Sequence, residues 1–289
     1  MAVYEHAYRR YTGALTSRRR RFLVVPRYAF AHLLQSRAFI IFYLLCWVLP
    51  FVGVLAIYLR HNVGALKLLG LTLDRVREAV PIDGRFFDKG MEIQGFLSFL
   101  VAVGIAPALI SPDLRNNGLA LYLSRPFTRT EYVLGKLAVL AAVMSSITWV
   151  PGLLLFLLQG YLEGAGWFSA ESHVVIGLVV GGGAWIAAVS LLALAVSAWV
   201  KWRPVARIVL LILYFVMSAF ARITEMAIGT WWGGMLSISQ VCATIWADLF
   251  KVTPPSPLPV GAAWFALVAG SLACFGLLMR RVRAYEVVR

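Results

Sequence analysis

The chain has 289 residues, of which 61% are hydrophobic and 14% charged. That charge content is well below the ~25% of a soluble domain and excludes an ordinary soluble fold, leaving an all-α polytopic membrane protein as the class to expect. The formal charge of +14 does not imply nucleic-acid binding, because the basic residues sit in short segments between apolar runs, as orientation signals do.

In chain order, residues 1–36 are arginine-rich and lack a compact apolar core followed by a small-residue cleavage site, so the first span is expected to remain as an anchor. The run SRRRR (17–21) fits an orientation signal with affinity for anionic lipid. After it, PRYAFAHLLQSR (26–37) mixes apolar positions with arginines at both ends, the pattern of an interfacial elbow helix. Six stretches then reach the ~20 apolar residues that a bilayer crossing needs: about 37–59, 93–111, 137–159, 174–200, 207–228 and 259–279. Pro50, Pro107 and Pro151 interrupt three of them and are expected to kink them. Residues 60–92 read as a polar loop of mixed charge. Residues 229–258 are Trp-rich, apolar and broken by glycine, which predicts a re-entrant or interfacial hairpin; such a segment serves either as an aromatic belt or as a gate over a cavity.

Orientation follows from Lys and Arg. One side of the six spans collects 19 of them, in 1–37, 112–136, 201–207 and 280–289, and the other collects eight. By the positive-inside rule both termini are cytoplasmic, and so is the segment 112–130.

Ionisable residues inside a bilayer are costly and mark proton relays, ion paths or metal sites. Five of the six spans carry none over their central portions; the fifth has Arg222 and Glu225, three apart near its outer end, which predicts a local ion pair there. His6, His32, His61 and His173 lie in terminal or loop segments or at span edges and form no ligand cluster, and Cys46, Cys242 and Cys274 have neither disulfide nor zinc spacing. No nucleophile, base or metal set converges, so an enzyme is disfavoured. The stretch YVLGKLA contains Gly135 and Lys136 but not the earlier glycine or the hydroxyl of a P-loop. Small residues recur every fourth position at Gly177 and Gly181, and again at Ala262, Ala266 and Gly270, a grammar for close helix packing within the chain or across a dimer.

The most structured polar sequence is NNGLALYLSRPFTRTEYVLGK, residues 116–136. Ser111 and Pro112 are expected to stop span two and open a short helix over 113–123, ended before Pro126. TRTE (128–131) has the form of a capping box, Thr128 with Glu131, and starts span three. A helix-break-helix between two spans displays Asp113, Arg115, Asn116, Asn117, Arg125 and Arg129; either it only connects the spans or it is a docking surface.

The run DLRNNGLALYLSRPFTRTEYVLGK resembles the region after the second span of ABC-2 type permeases, the membrane subunits of ATP-driven transporters. Pro126, Thr128, Arg129, Gly135 and Lys136 match that family's Pro-x-(Ser/Thr)-Arg turn and following Gly-Lys. NNGL departs from the family, with Gly118 one place later than its glycine. The six spans, basic elbow, segment before the last span and arginine-rich tail extend the likeness over essentially the whole chain.

The resemblance implies a six-span permease domain over 37–289, with the ATPase-coupling contact at Asp113, Arg115, Asn116, Asn117 and Arg125, and the turn held by Pro126, Thr128, Arg129, Glu131, Gly135 and Lys136. It further implies separate ATPase subunits as partners, which carry ATP and Mg while this chain has no cofactor of its own, a second permease copy or paralogue, and a place in the plasma (inner) membrane. Export of a hydrophobic or amphiphilic substrate suits the charge-poor spans. The alternative is a non-transporting membrane scaffold or assembly factor that recruits a soluble partner through 112–130.

Overall fold

A computed structural model describes residues 24–62, 81–115, 128–200 and 202–282; at 24, 25, 112, 114 and 115 the description is of the backbone alone. Among the described residues the secondary structure is entirely helical, with six helical segments long and apolar enough to cross a membrane. The chain is an all-α polytopic membrane protein.

Helix α1 (Val24–Leu33) precedes span one, which is built from α2 (Arg37–Cys46) and α3 (Val48–His61). Span two is a single helix, α4 (Gly84–Arg115). Span three joins α5 (Arg129–Ile147) to α6 (Trp149–Glu163). After the short α7 (Ala165–Ala170), span four comprises α8 (Ser172–Ile176), a π-helical turn (Gly177–Gly181) and α9 (Gly182–Trp199). Span five is α10 (Arg203–Ile228). A 3-10 turn (Trp232–Leu236) and α11 (Ile238–Leu249) lead to span six, α12 (Val260–Arg281).

Spans two, three and four make the centre. Of span two's most apolar stretch 67% is buried, against 22%, 17% and 11% for spans one, five and six. The uncovered faces of the flanking spans carry large apolar side chains, such as Leu44, Phe51, Ile212, Phe215, Phe265 and Leu272; with lipid as solvent, exposing them carries no hydrophobic penalty.

The prolines act differently from one another. Pro50 and Pro151 are each the third residue of a helix, and the chain breaks three residues earlier, at Trp47 and Thr148. Proline has no N–H for the carbonyl four residues back; for Pro50 that is the carbonyl of Cys46, and Gln94 Nε2 donates to it instead at 3.0 Å. One side chain of span two thus repairs the break in span one. At Pro107 the expected kink does not interrupt the helix, and α4 continues past Pro112 to Arg115.

The expected stop at Ser111 and Pro112 is therefore corrected. Ser111 is buried in α4 and donates to the carbonyls of Ser197 (3.1 Å) and Val200 (3.2 Å), the free C-terminal carbonyls of span four. Residues 113–115 belong to α4; the remainder of the expected 113–123 helix lies outside the described residues.

At its other end α4 starts nine residues before the expected span. Asp83 sets that start, its Oδ1 accepting from the N–H groups of Arg85 (3.0 Å) and Phe86 (3.2 Å). So 84–92, read as loop, is helix. The 32 residues of α4 measure about 48 Å at 1.5 Å per residue, against a hydrocarbon core of ~30 Å. The helix is thus longer than one perpendicular crossing requires.

The segment 229–258 folds back on the bundle. Gly229, with φ of 69°, ends α10 in the left-handed region. The 3-10 turn then runs back along α10, with Gly233 against Thr224 and Ser218 within hydrogen-bonding distance of Ser237 (3.2 Å) and Ser239 (2.8 Å). Ser218 lies about 15 Å before the end of α10 at 1.5 Å per residue, so α11 begins well down the bundle and climbs back.

Its aromatic residues fill the glycine notches: a Cβ on Gly177 would lie 2.6 Å from the Phe250 ring, and on Gly181 or Gly95 2.7 Å from Trp246. The stripe at 177 and 181 therefore serves packing within the chain. On α12, Ala262 and Ala266 pack on a small core around Val241 and Leu258, whereas among the described residues nothing lies within 4 Å of where a Cβ on Gly270 would stand.

Candidate functional site

At the end of the bundle where Arg115 and Arg129 lie, spans two and three are tied by three polar side chains. Asp113 sits in the last turn of α4, and Tyr132 and Lys136, four apart and so on one face of α5, point at it. Tyr132 Oη donates to Asp113 Oδ2 at 2.7 Å; Lys136 Nζ donates to the same oxygen at 3.0 Å and to the carbonyl of Leu109 at 2.6 Å. The ammonium also lies 5.2 Å from the centre of the Tyr132 ring. Lys136 is 6% exposed and Tyr132 fully buried. A lysine so buried is tolerated because a carboxylate and a carbonyl satisfy it together, and partners of this kind fix position.

One turn earlier the capping box forms as expected. Thr128 Oγ1 accepts from the Glu131 N–H at 3.2 Å, and Glu131 Oε2 accepts from the Thr128 N–H at 2.7 Å and from its hydroxyl at 3.0 Å. This fixes where α5 begins, and hence the register that brings Tyr132 and Lys136 to Asp113. Helix α1 packs against α5, and Ser111 ties α4 to span four, so four helices meet around this end.

Of the residues singled out in the sequence, Asp113, Glu131, Gly135 and Lys136 are drawn inward, while Thr128 and Arg129 are exposed at the start of α5. Arg115 is the last residue of α4, with only its backbone described; Asn116, Asn117, Arg125 and Pro126 lie outside the described residues. The structure adds Tyr132, the second donor to Asp113; its spacing of four from Lys136 was the available signal. Arg222 and Glu225 form no ion pair among the described residues, which corrects that expectation. No group of three metal-binding side chains occurs among the described residues.

The opposite end is tied by Glu163, which accepts from Gln159 (2.7 Å) and meets His61 of span one (3.1 Å), with Arg60 at 4.0 Å. Between spans one, two and three on that side lies an apolar cavity of about 420 Å³, lined by Pro50, Gly53, Phe86, Gln94, Pro151 and Leu155. Both proline breaks open onto it. No protein-family model matches the chain, and comparison with curated proteins finds no match.

Proposed function

We propose that the chain is the membrane-spanning permease subunit of an ATP-binding cassette transporter of the ABC-2 type, which acts as an exporter. It lies in the plasma (inner) membrane with both termini and residues 112–130 in the cytoplasm. It pairs with a second permease copy or paralogue and with two separate ATPase subunits that bind ATP and Mg. α1 is the interfacial elbow, and the segment 229–258 is re-entrant or interfacial on the outer side.

The observation that carries this reading is the buried Asp113–Lys136–Tyr132 tie. A segment that transmits force needs stiff attachment at both ends, and the residues flanking 116–127 are bound to each other and, through Ser111, to span four. Closure of the ATPases on Arg115, Asn116, Asn117 and Arg125 would then move spans two and three as one body. The structural half of the predicted site, Thr128, Arg129, Glu131, Gly135 and Lys136, supplies the stiffness; Asp113 belongs with it through its bonds to Tyr132 and Lys136. The apolar cavity between spans one, two and three has a volume within the ~300–1,000 Å³ of small-molecule sites, which favours a hydrophobic or amphiphilic substrate.

Co-purification with an ATPase and vesicle assays test the proposal. Arg125→Glu is expected to lower ATPase activity coupled to this subunit while membrane insertion is retained. Unchanged coupling after charge reversal at both Arg115 and Arg125 removes the contact assigned here, and transport by the chain without any ATPase removes the function.

A further inference from the structure

The start of α4 carries two pairs of opposite charges, each three residues apart and so neighbours on the helix surface: Arg85 with Asp88, and Lys89 with Glu92. The second pair is closed, Lys89 Nζ donating to Glu92 Oε2. The first is open. Among the described residues neither the Arg85 guanidinium nor the Asp88 carboxylate has an ion-pair or hydrogen-bond partner. Arg85 is exposed, but Asp88 is only 8% exposed. The residue is mostly buried while its carboxylate keeps access to a cavity, where a cationic partner would offset part of the cost of leaving bulk water.

Both side chains line a cavity of about 390 Å³ between α4 and the segment that begins with α11. Ala243 and Trp246 of α11, with Val252, Thr253 and Pro255 beyond it, form the other wall. Trp246 is 3% exposed, and its indole Nε1 is buried toward Gly181 of span four, so Trp246 gives this wall ring surface and no donor. One wall thus offers a carboxylate without a hydrogen-bond partner and, one turn away, a guanidinium without one, with the closed Lys89–Glu92 pair beside them. The volume falls within the range of small-molecule sites and far exceeds a bare ion.

We propose that this cavity binds a zwitterion that carries an ammonium group and an oxyanion, the ammonium on Asp88 and the oxyanion on Arg85. A phosphoethanolamine group has this chemistry, whether free or as the headgroup of a lipid. The position suits a headgroup, since Arg85 and Asp88 lie in the first two turns of a helix longer than the ~30 Å hydrocarbon core requires. Ammonium N–H donors fit a carboxylate better than a quaternary amine does, so discrimination against phosphocholine is part of the proposal.

The full-length protein in nanodiscs of equimolar phosphatidylethanolamine, phosphatidylcholine and phosphatidylglycerol, released and read by native mass spectrometry, gives the lipid arm. Titration of the detergent-solubilised protein with O-phosphoethanolamine gives the soluble arm. Preferential retention of phosphatidylethanolamine assigns a lipid headgroup; saturable binding of O-phosphoethanolamine without lipid preference assigns a free zwitterion. In either case Asp88→Asn and, separately, Arg85→Gln are expected to weaken binding by about tenfold, the worth of one hydrogen bond to a charged group. Arg222→Gln, the same charge removed at the end of α10, leaves binding unchanged. Arg85 is exposed, so its variant reports on binding even if Asp88→Asn folds poorly. Equal retention of all three lipids together with no binding of O-phosphoethanolamine overturns the proposal, as does wild-type binding by both variants.

Discussion

The two ends of α4 each carry an aspartate, and the two are treated in opposite ways. Asp113 accepts from Tyr132 and Lys136, and Lys136 is in turn completed by the Leu109 carbonyl. Asp88 is more deeply buried yet accepts from no described residue. A carboxylate whose partners come from another span holds helices in place. One that faces a cavity without a hydrogen-bond partner ties no helices together, and on the proposal above it is met by an outside group. The same helix is thus fastened at one end and open at the other.

This contrast can be broken by substitution. The largest effect is expected from Lys136→Met, which leaves the Asp113 carboxylate with the neutral Tyr132 hydroxyl alone; breaking a buried pair costs 3–5 kcal/mol, and the 20% exposure of the Asp113 side chain with the Tyr132 bond retained puts this case at about 3 kcal/mol. Adding Asp113→Leu to it should restore most of the loss, because no unpaired charge then remains. Reversible denaturant unfolding in detergent, followed by helical circular dichroism, measures both. If Lys136→Met is neutral, the tie does not hold spans two and three together.

Between the two ends, Gln94→Leu leaves the Cys46 carbonyl of the Pro50 break without its donor and is expected to cost roughly 2 kcal/mol. Faster amide exchange confined to α2 and α3 would locate the damage. Thr128→Ala removes the cap of α5 at about 1 kcal/mol, with fraying of the first turn of α5 as its signature. The smallest effect is expected from Asp88→Asn, which replaces an unpartnered charge by a neutral amide of the same shape. Its stability should stay within about 0.5 kcal/mol of wild type or rise. A loss comparable to that of Lys136→Met would show that Asp88 is structural after all and erase the distinction between the ends.

Much of this was legible before any coordinates. The six spans follow from runs of apolar residues whose length the bilayer dictates, and the start of α5 follows from TRTE, because a capping box is local chemistry between residues three apart. The glycines at 177 and 181 announced close packing, though not that Trp246 and Phe250 would be what packs there. Misreadings arose where a local rule was overruled from a distance. Ser111 and Pro112 resemble a helix boundary, yet α4 runs through them, with Ser111 donating to two carbonyls of span four. Residues 84–92 are too polar to count as a span, but they continue a helix that Asp83 starts and the bundle supports.

The candidate site divides along the same line. That 112–136 is polar and carries a capping box was in the sequence; that Lys136 and Tyr132 both donate to one oxygen of Asp113, 23 and 19 positions away, was not. Hydrophobicity and capping are properties of neighbouring residues, and by themselves they determined the class of protein, the six helical segments able to cross a membrane and the start of α5. Which charged groups are answered and which are left open depends on what other helices bring alongside, and only the packed bundle decided that.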